Sequence, residues 1–260
     1  MVYTQLTPRF TPSARVDEIS SDSSHYLLTI PSGKADQYRL AQLYDYAQIS
    51  RGRFPHRFNT SLSLSARTSS GSIPGTWGFG LWNDPFGLSL GFGGNPFRLP
   101  ALPNAVWFFG ASKENYLSFG GRVGRAISRP PANGFLAQSF RSPKFHPLLI
   151  LAGLALPFSR KLTRRLMSRV IAEDGIELGV DPVKWHRYRL EWSLNRVSFE
   201  VDDIQVFESA ASPNPPLGSI IWIDNQYAAF TPEGKIGFGV LENPEPAWLE
   251  IKIYANTFRG

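Results

Sequence analysis

Between Val183 and Phe207 apolar and polar positions alternate with period two. His186, Tyr188, Leu190 and Trp192 interleave with Arg187, Arg189 and Glu191, so a pleated strand sets the rings on one face and the charges on the other. After Ser193–Arg196, a second run sets Val197, Phe199 and Val201 against Ser198 and Glu200. Asp202 and Asp203 then break the chain before Ile204, Val206 and Phe207. The pattern predicts antiparallel strands joined by short turns.

The same rhythm recurs along the chain. Strands are predicted over Tyr26–Ile30, within the extended stretch Tyr38–Ile49, and around Leu62, Leu64 and Ala66. They follow again at Thr76–Trp82 (TWGFGLW), Ala105–Ala111 (AVWFFGA) and Tyr116–Phe119. Ile220–Asn225, Lys235–Leu241 and Trp248–Tyr254 complete the set, and residues 1–24 are expected to form an irregular arm or edge wrapping. No Pro/Gly-rich linker divides the strands into two groups, so a single all-β domain over 1–260 is expected, with two sheets packed as a sandwich.

Residues 120–180 break the rhythm and are expected to form an insertion. Leu148–Leu156 is a nine-residue apolar run stopped by Pro157, short of the roughly 20 residues a spanning helix needs. Ser159–Ala172 has helical periodicity with Ser159 as N-cap. Leu162, Leu166, Met167 and Val170 share one sector, and Lys161, Arg164, Arg165 and Arg169 the other. An interfacial anchor has this pattern, with Leu162 and Leu166 entering lipid and Arg164, Arg165 and Arg169 meeting an anionic membrane surface. The alternative packs the apolar sector on the sandwich and leaves the arginines in water.

The charge distribution sharpens that choice. The formal charge is +6, yet residues 115–172 contain ten basic residues and no acidic one. The remainder carries −4. Such a concentrated field attracts phosphates, anionic lipid or an anionic substrate. Nucleic acid is the least supported partner, because no nucleic-acid motif accompanies the basic segment.

Cysteine is absent, which excludes disulfides, a thiolate nucleophile and cysteine metal sites. His25, His56, His146 and His186 are scattered without metal-ligand spacing, so neither a metal site nor a cofactor is predicted. The N-terminus lacks the basic start and apolar core of a secretory signal, and cytoplasmic placement, with peripheral membrane contact, is the expectation. The Asn59-Thr60-Ser61 sequon has no other sign of secretion beside it. Gly87-Leu88-Ser89-Leu90-Gly91 matches G-x-S-x-G but lacks the strand before and helix after it that a nucleophile elbow needs.

His186-x-Tyr188-x-x-x-Trp192, followed by Phe199-x-Val201-Asp202, resembles the strand pair of glycoside hydrolase family 16, of the laminarinase and lichenase type. Gly75-Thr76-Trp77 to Leu81-Trp82 is similar to that family's G-t-W-P-A-f-W stretch, and Ile251–Tyr254 to its closing strand. The resemblance covers about residues 50–255. It implies a concanavalin A-like jelly roll whose concave sheet forms a cleft, with a structural calcium on the outer sheet in some relatives.

The chemistry of the family does not follow. Its E-x-D-x-x-E strand falls on Ala105–Ala111, where Val106, Trp107, Phe108 and Phe109 stand and no acid precedes Glu114. Hydrolysis by two carboxylates is therefore not expected. The expected cleft is aromatic, formed by Trp77, Trp82, Trp107, Phe109, Trp192, Trp222 and Tyr227, and suits a glycan or a hydrophobic small molecule. An alternative is an enzyme that has reused the cleft as a cyclase, isomerase or hydratase, with His186, Tyr188, Asp84 and Asp224 moving protons. A third reading keeps glycoside hydrolysis with a relocated acid pair drawn from Glu114, Asp84 or Asp224.

Overall fold

The computed structural model describes residues 6–20, 24–85, 101–120 and 130–254. Eight strands come first: β1 (Thr7–Phe10), β2 (Arg15–Glu18), β3 (His25–Ile30), β4 (Leu40–Tyr44), β5 (Thr60–Thr68), β6 (Thr76–Trp82), β7 (Ala105–Ala111) and β8 (Gly134–Arg141). Helices α1 (Pro147–Ala155) and α2 (Arg160–Val170) follow, and then β9 (Ala172–Glu177), β10 (His186–Trp192), β11 (Val197–Val201) and β12 (Ile204–Ser209). The last strands are β13 (Gly218–Asp224), β14 (Gln226–Phe230), β15 (Ile236–Val240) and β16 (Ala247–Ile253).

Two seven-stranded antiparallel sheets result. The first has the order β1-β4-β13-β6-β7-β8-β9 and the second β12-β11-β10-β5-β16-β3-β2, while β14 and β15 pair separately. Consecutive strands pair in the runs β6–β9 and β10–β12, whereas β13 between β4 and β6, and β16 between β3 and β5, need long connections, as in a jelly-roll sandwich.

Alternation explains the second sheet. On β5, Leu62, Leu64 and Ala66 are buried between half-exposed serines, and β10 pairs with it so that Tyr188 opposes Leu64 and Leu190 opposes Leu62. These side chains meet Phe79, Phe108 and Ile221 of the first sheet in the main core. The middle of the first sheet shows no alternation, because β6, β7 and β13 are buried on both faces. Its outer face carries a second apolar cluster that includes Trp107, Phe109, Phe140 and Trp222.

Three expectations are corrected. Tyr116–Phe119 forms a single bridge, Tyr116 to Ala229, in place of a strand. The interval 120–180 is not wholly an insertion, since β8 and β9 extend the first sheet from within it. Of the two expectations for the early residues, the irregular arm gives way to edge strands β1 and β2, which pair with β4 and β3. Ser159 does cap α2, its Oγ accepting from the Leu162 amide at 3.2 Å. The G-x-S-x-G match lies outside the described residues. Among the described residues, no helix is long and apolar enough to cross a membrane.

Candidate functional site

The outer face of the first sheet is where rings and titratable groups converge. Pairing places Trp222 of β13, Gly78 of β6, Phe109 of β7 and Leu136 of β8 in one row across the sheet. A Cβ on Gly78 would stand 2.4 Å from the Phe108 backbone oxygen and 2.9 Å from Trp222 Cη2, so the absence of a side chain there admits both the neighbouring strand and the indole lying on β6. Trp82 stacks on Trp222 at 6.3 Å between ring centroids and 6° between planes. Trp107 and Phe109 stack at 5.2 Å, each within 6 Å of Trp222. Such pairs add about 0.5–1.5 kcal/mol each beyond their buried area.

Each indole N–H on this face has a partner inside the protein. Trp82 donates to the Tyr46 hydroxyl at 2.5 Å, Trp107 to Gln138 Oε1 at 3.2 Å, and Trp222 to Thr76 Oγ1 at 2.9 Å. Their polar edges are therefore used within the protein, and a ligand could reach this cluster only where a ring is uncovered. Met167 and Ile171, with Phe54, Leu117 and Phe119, pack over the rings. Trp107, Phe109 and Trp222 are left 3–6% exposed, whereas Trp82 is half-buried and marks the accessible side.

Two carboxyl groups sit at the margins of the floor. Thr76 Oγ1 donates to Asp224 Oδ1 at 2.7 Å, extending the chain that begins at the Trp222 N–H, and Tyr38 donates to Asp224 Oδ2 at 3.3 Å. Burial pushes the Asp224 carboxyl up to about 7, against the opposing pull of these hydrogen bonds. Burial, then the neighbouring Asp224 charge, raise the Tyr38 phenol well above its ordinary value. Glu173 accepts from the Phe119 amide at 2.6 Å, the Gly120 amide at 3.1 Å and Gln138 Nε2 at 3.2 Å. Its carboxyl is also raised to about 7 by burial.

These acids do not form a pair. Four strand spacings separate β13 from β9, about 19 Å. Glycoside hydrolysis needs carboxyls about 5–5.5 Å or 6.5–9.5 Å apart, for retention and inversion respectively. Glu177 shares β9 and its outer face with Glu173, but it is exposed, whereas Glu173 is sealed at 0% exposure.

Several expected residues lie elsewhere. Tyr188 and Trp192 are 2% and 0% exposed and belong to the core between the sheets, as does Trp77, whose ring packs on Phe135 at 4.7 Å. Burial raises the Tyr188 phenol far above its ordinary range. His186 opposes Ala66 at the end of β10, with Nδ1 2.6 Å from Asp202 Oδ2 and Nε2 3.1 Å from the Asp181 carbonyl. Asp84 is a turn residue with φ 49°, its carbonyl accepting from Arg51 at 2.7 Å. Glu114 is exposed and lines a separate cavity of about 360 Å³ with Ser72, Ser112, Lys113 and Glu242. Tyr227 lies over Gly239 in the β14–β15 pair.

Of the proton-transfer candidates only Asp224 reaches the aromatic face, and of the ring candidates Trp82, Trp107, Phe109 and Trp222 do. Tyr38, Thr76, Gln138 and Glu173 were not singled out by any sequence pattern. Thr76 opens the TWGFGLW run, and Glu173 is the first acid after the long basic segment, but neither position announces its partners. Among the described residues no three His, Asp or Glu side chains gather as a metal site.

The basic helix is also oriented differently from its helical wheel. Arg164 is 8% exposed and turned into the protein, donating to the carbonyls of Phe230 at 2.7 Å and Ser118 at 2.6 Å. Leu162 is 45% exposed and Leu166 half-buried, while Arg165 and Arg169 face solvent.

Sheet order and core together define a jelly-roll β-sandwich of two antiparallel seven-stranded sheets, with a second aromatic cluster on the outer face of the first sheet. No family model and no curated protein sequence matches the chain. Among solved structures it is similar to a GlcNAcα1-4Gal-releasing endo-β-galactosidase from Clostridium perfringens at 11% identity and TM-score 0.49, covering 98% of this chain and 60% of that one. A glycoside hydrolase family protein from Mycobacterium thermorestibile aligns at 10% identity and TM-score 0.48, over 97% and 93% of the two chains. A β-glucanase of Bacillus licheniformis aligns at 9% identity and TM-score 0.45, over 91% and 79%.

Proposed function

We propose that this protein is a divergent glucanase-like jelly roll that binds a ligand with a flat apolar surface on the outer aromatic face, without two-carboxylate glycoside hydrolysis. The observation that carries this reading is the floor of Trp82, Trp107, Phe109 and Trp222, whose indole N–H groups are all satisfied internally. Trp82, its half-buried member, offers the ring for stacking, and the covered rings behind it supply a rigid apolar backing. Such a floor favours a hydrophobic small molecule over a glycan, whose hydroxyls need partners.

Titrating the protein with a polyprenyl alcohol and, separately, with a β-glucan oligosaccharide tests the reading through tryptophan fluorescence. Saturable quenching by the alcohol, weakened at least tenfold in Trp82→Ala, is the expected result. Stronger quenching by the oligosaccharide would reverse the preference. Release of reducing ends from β-glucan, abolished in Asp224→Asn, would overturn the non-hydrolytic reading.

A second reading has one observation in its favour. Asp224 holds a proton near neutrality and is hydrogen-bonded to Tyr38 beside the aromatic floor, as an acid or base acting on an apolar ligand requires. In that case Asp224 and Tyr38 move the proton, and His186, Tyr188 and Asp84 take no part.

A further inference from the structure

The helical hairpin of α1 and α2 exposes what a soluble surface normally hides. Leu151 is 52% exposed, Leu154 65%, Phe158 90% and Leu162 45%, all on α1, the turn after it and the first turn of α2. Phe145, just before α1, is 66% exposed. Arg160, Lys161, Arg165 and Arg169 are exposed beside them, and residues 115–172 contain no acidic side chain, so Glu233 of the β14–β15 turn is one acid brought to the helix from outside that segment.

The orientation is fixed from the other side. Arg164 ties α2 to the carbonyls of Ser118 and Phe230, and its guanidinium lies 5.5 Å from the Tyr116 ring. Thr163 Oγ1 donates to the Ala152 carbonyl at 3.0 Å and joins the two helices. Gly234, at φ +85°, lets the β14–β15 turn approach so closely that a Cβ would stand 2.7 Å from the Lys161 nitrogen. Inward groups thus hold the hairpin to the body, and its apolar tip points away.

We infer that this hairpin docks the protein on an anionic lipid surface, with Phe158, Leu154, Leu151 and Leu162 entering the headgroup boundary and Arg160, Lys161, Arg165 and Arg169 meeting lipid phosphates and carboxylates. Charge complementarity selects this occupant. A solvated helix face explains the arginines but leaves the leucines and Phe158 without cover, whereas an interfacial seat takes both. Arg164, already used inside, contributes nothing to the lipid contact.

Flotation of the full chain with phosphatidylcholine vesicles, with and without phosphatidylserine, tests the inference. Binding to the serine-containing vesicles alone is expected. Each of Arg165→Glu and Arg169→Glu should weaken it about fivefold or more, and Phe158→Asp more than tenfold. Near-ultraviolet circular dichroism identifies any variant that fails to fold. The two arginine variants, at exposed positions, keep the test open if Phe158→Asp does so fail. Equal binding to both vesicle types, unchanged binding of the arginine variants, or a dimer that Phe158→Asp converts to monomer without vesicle binding would each overturn it.

Discussion

Asp224 and Glu173 share the outer face of the first sheet and stand at opposite corners of it. Four strand steps separate them, and the register rows displace them along the strands as well, Asp224 lying level with Thr76 and Ala111 and Glu173 level with Trp82 and Ala105. The aromatic floor occupies the space between them. Two carboxyls of similar raised pKa therefore act as separate groups, each read through its own neighbours.

Stability should fall as pH rises through neutrality. Both folded-state values are about 7, above the roughly 4 of an unfolded chain. The folded protein holds protons that the unfolded chain has released, so the stabilisation is full below about pH 4 and is lost as pH rises through about 7. In Asp224→Asn the corresponding group cannot titrate. Unfolding free energies from urea titrations between about pH 5 and 8 should drop less in that variant than in the wild type, by an amount on the order of a few kcal/mol.

Removing the central ring should damage fold and ligand contact together. Trp222→Ala deletes the indole stacked on Trp82 and leaves Thr76 without its N–H partner, at a cost of about 3–5 kcal/mol. Trp222→Phe keeps the plane and loses the hydrogen bond. It should retain most ligand quenching and lose about 1 kcal/mol in denaturant midpoint analysis.

His186→Asn and Tyr188→Phe should leave ligand affinity and any turnover unchanged, because neither side chain reaches the outer face. A change of tenfold or more in either quantity, with the fold intact by circular dichroism, would move the site to the other side of the first sheet.

Adjacent arginines should separate cleanly. Arg164→Ala leaves the Phe230 and Ser118 carbonyls without their guanidinium partner and should cost about 2–4 kcal/mol in urea unfolding. Arg165→Ala, at an exposed position, should stay within about 0.5 kcal/mol of the wild type.

These outcomes bear on what the sequence discloses. Period two shows that His186, Tyr188 and Trp192 share a face, but a sandwich has two kinds of face and alternation does not say which one is shared. The resemblance placed them in the cleft, whereas pairing with β5 turns Tyr188 and Trp192 to the core and leaves His186 at the strand end beside Asp202. On β7 the strand bounds of Ala105–Ala111 were legible as an unbroken apolar run, yet that same run erased the division between Phe108, in the core, and Trp107 and Phe109, on the outer face. Helical periodicity located α2 and its cap. It misplaced Arg164 because a wheel counts charge and cannot see two backbone carbonyls arriving from residues 118 and 230. Thr76, Tyr38 and Glu173 became site residues only through partners distant in sequence.

The bare position at Gly78 ties two properties of the molecule together. A single added methyl group on β6 would lift Trp222 from its bed, disturb the stack with Trp82 and strain the link through Thr76 to Asp224. The same methyl would also stand 2.4 Å from the Phe108 backbone oxygen on β7, so a smaller ring at Trp222 would not by itself make room for it. A search for altered ligand preference would do better to begin at Trp82, the half-buried ring of the cluster, which sits at its accessible side.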